Sequence, residues 1–170
     1  ASGGVLEAGS ALSGNDNTDA DPEILVAIGE LSTSIGAADI TEVEMVTTTA
    51  DKSEGFTISV RVRYNEPVDV VTTGGTPTLA VTNSNAGSGS GRGPHSLSYA
   101  SGTGTNELIF SLAIAAANAA TNADDVLTVG AQTIALNSGT IKDASGTASD
   151  AALVISGAVG TAAGSVTVTA

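Results

Sequence analysis

The chain has 170 residues, five basic against eighteen acidic, a formal net charge of −13 and no cysteine. That balance speaks against nucleic acid, whose phosphates need a basic footprint, and against anionic lipid; the missing thiols exclude disulfides, thiol catalysis and Cys-based zinc sites. No run approaches the eighteen or so apolar residues of a membrane span, so no membrane insertion is expected. Aromatic residues make up only 2% (Phe56, Tyr64, Tyr99 and Phe110), so the core must be thin and built from small and β-branched side chains. Two packed sheets suit such a core better than helices do.

Residues 1–38 differ from the rest. Ala1 to Asp21 is Gly, Ser, Ala, Asn and Asp with isolated Val5, Leu6 and Leu12, which reads as an irregular, extended N-terminal arm. Ile24, Leu25, Val26, Ala27 and Ile28 form a short apolar run after Asp21-Pro22, compatible with a strand or a short capped helix. The arm reads either as a flexible tail or as a segment that orders on a neighbouring subunit. No basic n-region or apolar h-region marks a signal peptide; a leader already cleaved and a trimmed initiator Met are both compatible with Ala1.

From 39 to 170 the periodicity predicts a β-sandwich. Ile40–Thr47 is a first strand with Glu42 and Glu44 on one face, Val43 and Met45 on the other. Phe56, Ile58, Val60, Val62 and Tyr64 alternate with Thr57, Ser59, Arg61 and Arg63, a strand with one buried face. If the two pair, the glutamates face the arginines and set register; the same arginines otherwise offer an anion site. Asn65-Glu66-Pro67 is expected to stop the strand, because proline has no N–H for a ladder. Short strands are expected next at Val68–Val70, Thr78–Val81, Ser96–Ala100, Glu107–Leu112, Val126–Val129, Ile134–Leu136, Ala152–Ile155 and Ser165–Thr169. Ala113–Ala120 is expected as a helical turn or loop, and Ile141 as an apolar residue tucked in from a loop.

Residues 83–94 form a Gly/Ser loop without the Gly-Lys-Ser/Thr ending of a phosphate cradle. Arg92 and His95 are its polar handles and the expected exposed contacts. His95 is the sole histidine, so a transition-metal site there lacks partners. Glu66, Asp69, Asp124, Asp125, Asp143 and Asp150 stand in or beside turns and read first as solvated turn residues. The Asn15–Asp21 run lacks the glycine and closing glutamate of a calcium loop. No cofactor is expected; calcium held by the acidic turns is the one option left open. A Ser/His/Asp triad would have to use His95 without a nucleophile-elbow motif, so no enzyme is expected and no catalytic residue is nominated.

Three segments occur in order: Thr73-Gly-Gly-Thr-Pro-Thr-Leu79, Tyr99-Ala-Ser-Gly-Thr-Gly-Thr-Asn-Glu-Leu108 and Leu136-Asn-Ser-Gly-Thr-Ile-Lys-Asp-Ala-Ser-Gly146. With Val60-Arg-Val-Arg-Tyr-Asn-Glu-Pro-Val68 before them and Gly164-Ser-Val166 after, they resemble the bacterial Ig-like repeat of large surface and adhesin-like proteins. The resemblance covers about 40–170 and implies an all-β, Ig-like β-sandwich used for display or adhesion. That family comes in tandem copies, whereas one copy stands here behind an arm without counterpart in the repeat. In architecture the chain is also similar to the Ig-like decoration proteins of phage capsids.

Two functions are expected on these grounds. The first is a virion decoration protein at the capsid surface, with Leu6, Leu12, Ile24, Leu25, Val26 and Ile28 contacting capsid or other surface-assembly subunits, as a homo-oligomer or part of a larger assembly. The second is an extracellular adhesin module on a bacterial cell surface, binding a host glycan or protein through loop 83–94 and the acidic turns.

Overall fold

The computed structural model describes residues 36–84, 93–116, 118, 120–144 and 149–170. The chain divides between Ile35 and Gly36, and the second unit, Gly36–Ala170, is all-β. Its strands are β1 (Ile40–Met45), β2 (Ala50–Asp51), β3 (Phe56–Val71), β4 (Thr78–Ser84), β5 (His95–Ser101) and β6 (Thr105–Ile114). Then come β7 (Val126–Thr128), β8 (Gln132–Thr133), β9 (Thr140–Asp143), β10 (Val154–Ile155), a short helix α1 (Gly157–Ala162) and β11 (Ser165–Thr169).

One sheet runs β1-β3-β6-β5-β4-β7-β11-β2, with β9 added to β3, while β8 and β10 form a separate pair. β1 and β2 end this path on opposite sides, yet only residues 46–49 separate them in the chain. Four residues cannot cross a flat eight-strand path at nearly 5 Å per strand. The sheet therefore curls back on itself and encloses its own core. Inside lie Val43, Ile58, Val60, Val62, Leu79, Val81, Leu97, Leu108, Phe110, Leu127 and Val168. Tyr99 meets Phe110 edge to face at 6.1 Å, the favourable arrangement for two rings. Tyr64 reaches across the core to donate its hydroxyl to the Ala152 carbonyl at 3.1 Å.

β3 departs from expectation. It continues through Asn65-Glu66-Pro67 as one sixteen-residue strand. Antiparallel pairing with β6 runs to Arg63–Glu107, shifts register, and resumes at Val68–Thr105, where β9 also pairs with Val68–Val71. Pro67 sits in that irregularity, the place in a sheet where a missing N–H is tolerated, and its carbonyl still accepts from Ala144 N at 3.0 Å. Alternation survives: Tyr64, Glu66 and Val68 all point inward. Ile141, expected in a loop, belongs to β9 and is buried. Ala38, placed in the arm by composition, is fully buried and accepts from Ala152 N at 2.7 Å, so it is part of this unit.

The expected strand Ile134–Leu136 lies two residues earlier, at Gln132–Thr133, with Ala135 bridging to Thr78. Gln132 explains the shift. Its amide accepts from Ala80 N at 2.8 Å and donates to Ala80 O at 2.7 Å, so a side chain does what a strand backbone would.

The Thr-Gly-Gly-Thr-Pro and Asn-Ser-Gly-Thr turns interlock. Leu136–Gly139 closes with Gly139 N donating to Leu136 O at 2.8 Å, and Asn137 and Ser138 both have positive φ (51° and 69°). This is the backbone of a type I′ turn, which asparagine accepts readily. Asn137 then donates to Thr76 O at 2.9 Å and to Thr78 Oγ1 at 3.0 Å. Gly74 and Gly75 let the carbonyls of Ser138 and Asn137 press against them, and a Cβ at either position would overlap those oxygens.

Candidate functional site

The sequence-nominated contacts Leu6, Leu12, Ile24, Leu25, Val26, Ile28 and Arg92 lie outside the described residues. His95 is described, and it is not the exposed handle expected of it. It opens β5 opposite Val81, where strand alternation turns it inward with Leu97, and only 6% of its surface is exposed. The adjoining Gly/Ser composition suggested solvent, but the inward phase of β5 decides where its first residue points.

A polar cluster surrounds His95. Its Nε2 stands 3.4 Å from Thr121 Oγ1, a hydroxyl on the turn after β6. Two turns of backbone, Asn118 N to Ala115 O and Thr121 N to Asn118 O, bring Thr121 there. Asp125, fully buried, accepts through Oδ2 from Asn122 N at 2.7 Å and from Asn83 Nδ2 at 3.0 Å. Asn83 also donates to Ala120 O at 2.9 Å. On the main chain, Asp124 N donates to Val168 O and Val168 N to Asp125 O, both at 2.8 Å, so the same corner is tied to β11. The cluster thus ties β4, β5 and β11 to the turn residues 120–125.

A hydroxyl, an imidazole and a carboxylate are the kinds of group that an acyl-transfer relay uses. Thr121 is 0% exposed, so its hydroxyl is closed off from solvent in this fold. Structural anchoring is what the arrangement does. Burial holds the His95 pKa below its ordinary value, against the opposing pull of the Asp125 charge. The unfolded chain therefore takes up a proton near pH 6.5 that the folded one refuses, and stability falls as pH drops through that range. Urea midpoints measured between about pH 7.5 and 5.5 should decline, and His95→Gln should flatten that part of the profile.

The outer face of β1, β3 and β6 carries the ion pairs expected of Arg61 and Arg63. Glu42 stands in register with Arg63 and Glu44 with Arg61. Arg63 bonds Glu42 at 2.9 Å and Arg61 bonds Glu44. A third acid that the strand periodicity did not flag, Glu107 on β6, meets Arg63 at 2.6 Å and Arg61 at 3.6 Å. The hydrogen bond from Arg63 holds the Glu107 carboxyl below its ordinary range, and Arg63 in turn is pushed up chiefly by that bond. Being partly exposed, these pairs fix register more than they add stability.

Of the six turn acids, three are not solvated. Glu66, Asp125 and Asp143 are buried, at 6%, 0% and 3% exposure. Asp150 is exposed and pairs with Lys142 at 3.1 Å, Asp69 faces out opposite Lys142, and Asp124 is exposed with φ of 68°. No helix among the described residues is long and apolar enough to cross a membrane. Compared with known proteins, the chain matches no family model, no curated protein and no solved structure.

Proposed function

We propose that this chain is a non-catalytic, Ig-like display module of an outward-facing assembly, and that its specific role is to decorate a virus capsid, anchored by the residues before Gly36. The observation that carries the reading is the self-sufficiency of the β unit. Its basic groups on the outer face are neutralised by neighbouring strands, and its only histidine is committed to an internal network. A scaffold of this kind presents a self-contained, acidic body to solvent and leaves recognition to its appendages. In the sequence those are the apolar anchors Leu6, Leu12 and Ile24–Ile28, and the Gly/Ser segment 85–92 with Arg92.

Deletion of residues 1–35 tests this. The cut spares Ala38, which belongs to the core. Particle binding, followed by co-sedimentation with capsids, should be lost while the far-UV β signal and urea midpoint persist. Undiminished particle binding would overturn the decoration role. Binding to a glycan or host protein that persists without residues 1–35 would replace it with an adhesin module on a bacterial surface.

A further inference from the structure

Glu66 is out of place in the sheet interior. It lies between Tyr64 and Val68 on the inward face of β3, 6% exposed, and its Oε1 is shielded from solvent without a hydrogen-bond partner. Such an atom loses its hydration without replacement, a cost that a bound water or ion at the site would relieve. Three backbone segments are pinned around it. Asp39 and Asn65 exchange bonds, Asp39 N to Asn65 Oδ1 at 2.8 Å and Asn65 N to Asp39 O at 3.0 Å. Asp143, on β9 opposite Val68, is also turned inward, with its N–H on Ser149 O at 2.9 Å and Ala144 N on Pro67 O. Ala38 O is held by Ala152 N. The charges that act on Glu66 are both negative, those of Asp143 and Asp39; burial first, and then these charges, push its carboxyl above the ordinary range.

We propose that Glu66 and Asp143 hold a calcium ion at this end of the sheet, with the Asp39 carboxylate adding negative charge at the rim. The side-chain donors are all oxygen, which selects a hard cation, and they come from two separately fixed strands, β3 and β9, rather than an octahedral cage. Calcium tolerates such irregular sets of carboxylate, main-chain oxygen and water, whereas magnesium demands near-ideal octahedral geometry. Among the described residues no three acidic or histidine side chains already form a metal-binding group, so main-chain oxygen and water complete the coordination. The site is independent of how the chain is anchored, since every residue in it belongs to the β unit.

The experiment is thermal unfolding of the full chain in EGTA, in calcium and in magnesium at equal ionic strength. Calcium at about a hundredfold excess over its Kd should raise the melting temperature by about 5–10 °C, with little change in magnesium. Glu66→Gln and Asp143→Asn should each abolish the shift, with far-UV spectra in EGTA confirming that both fold. Asp69→Asn, an exposed acid on the same strand, should keep it. The proposal is overturned if calcium leaves the wild-type protein unchanged, if magnesium acts equally, or if both variants retain the shift. The wild-type comparison stands even if a variant does not fold.

Discussion

Gly75→Ala should cost about 3 kcal/mol or more of unfolding free energy, read as a lower urea midpoint at unchanged slope. The reason is space. Gly75 does not have a positive φ, but the place of its Cβ is filled by the Asn137 carbonyl, and a Cβ at Gly139 would likewise overlap the Gly75 carbonyl. Neither oxygen moves freely, because Gly139 N holds the type I′ turn closed and Asn137 holds Thr76 and Thr78. Relief requires the two turns to part, which releases the start of β4 and the approach to β9. Gly157→Ala is the contrasting substitution. Its Cβ meets nothing, and it lies in the first turn of α1, so that change should be neutral or slightly stabilising. A comparable loss for both would mean that the interlock is not the cause.

The second large effect is at Asp125. Truncation to alanine should destabilise by about 2–4 kcal/mol, because it strips the acceptor from Asn122 N and one acceptor from Asn83 in a fully buried corner. It also removes the negative charge that supports His95, whose pKa should fall further. Asp125→Asn keeps the shape and one carbonyl acceptor, so its loss should be smaller. NMR titration of the single histidine reads the electrostatic part separately from stability. An unchanged His95 titration in the alanine variant would place the carboxylate too far away to matter.

Much of this architecture is legible from alternation alone. β1, β6, β7 and β11 fall where apolar residues recur at every second position, and the Glu42/Glu44 to Arg61/Arg63 register follows from charges of matching period. What escaped is what a local pattern cannot carry. Pro67 signals a stop unless one knows that the ladder is already broken there by a change of partners. Gln132 looks like a loop residue until its amide is seen to replace a strand's backbone bonds. α1 has two glycines in six residues and is held instead by its Ser156 cap and by close packing of Gly160 on Gly130. The buried acids are the clearest case. Glu66, Asp125 and Asp143 have the same composition cues as the exposed Asp69 and Asp150, and only the inward phase of each strand or turn separates them. For the candidate site this matters most. His95 drew notice for being unique, while Glu66 was legible only as one acid beside a turn.

The position of β11 has a consequence for how the chain reaches this state. The last strand of the unit is not an edge: it lies between β7 and β2, parallel to β2, with Val168 opposite Ala50 and Thr169 Oγ1 on Ala50 O. Nearly the whole unit must be looped before those bonds form, and the entropy of that closure is lost before any contact returns it. β3 likewise takes its partners from β6 and β9, far along the sequence. Such high contact order places folding in the millisecond-to-second class rather than the microsecond class of local folds. During synthesis the gap between β7 and β2 stays open until Ser165–Thr169 emerge, so the nascent unit carries two unsatisfied strand flanks until its last strand is made. The charge of −13 then acts on the unfolded chain as much as on the finished one, keeping those open flanks of neighbouring copies apart while the sheet waits to close.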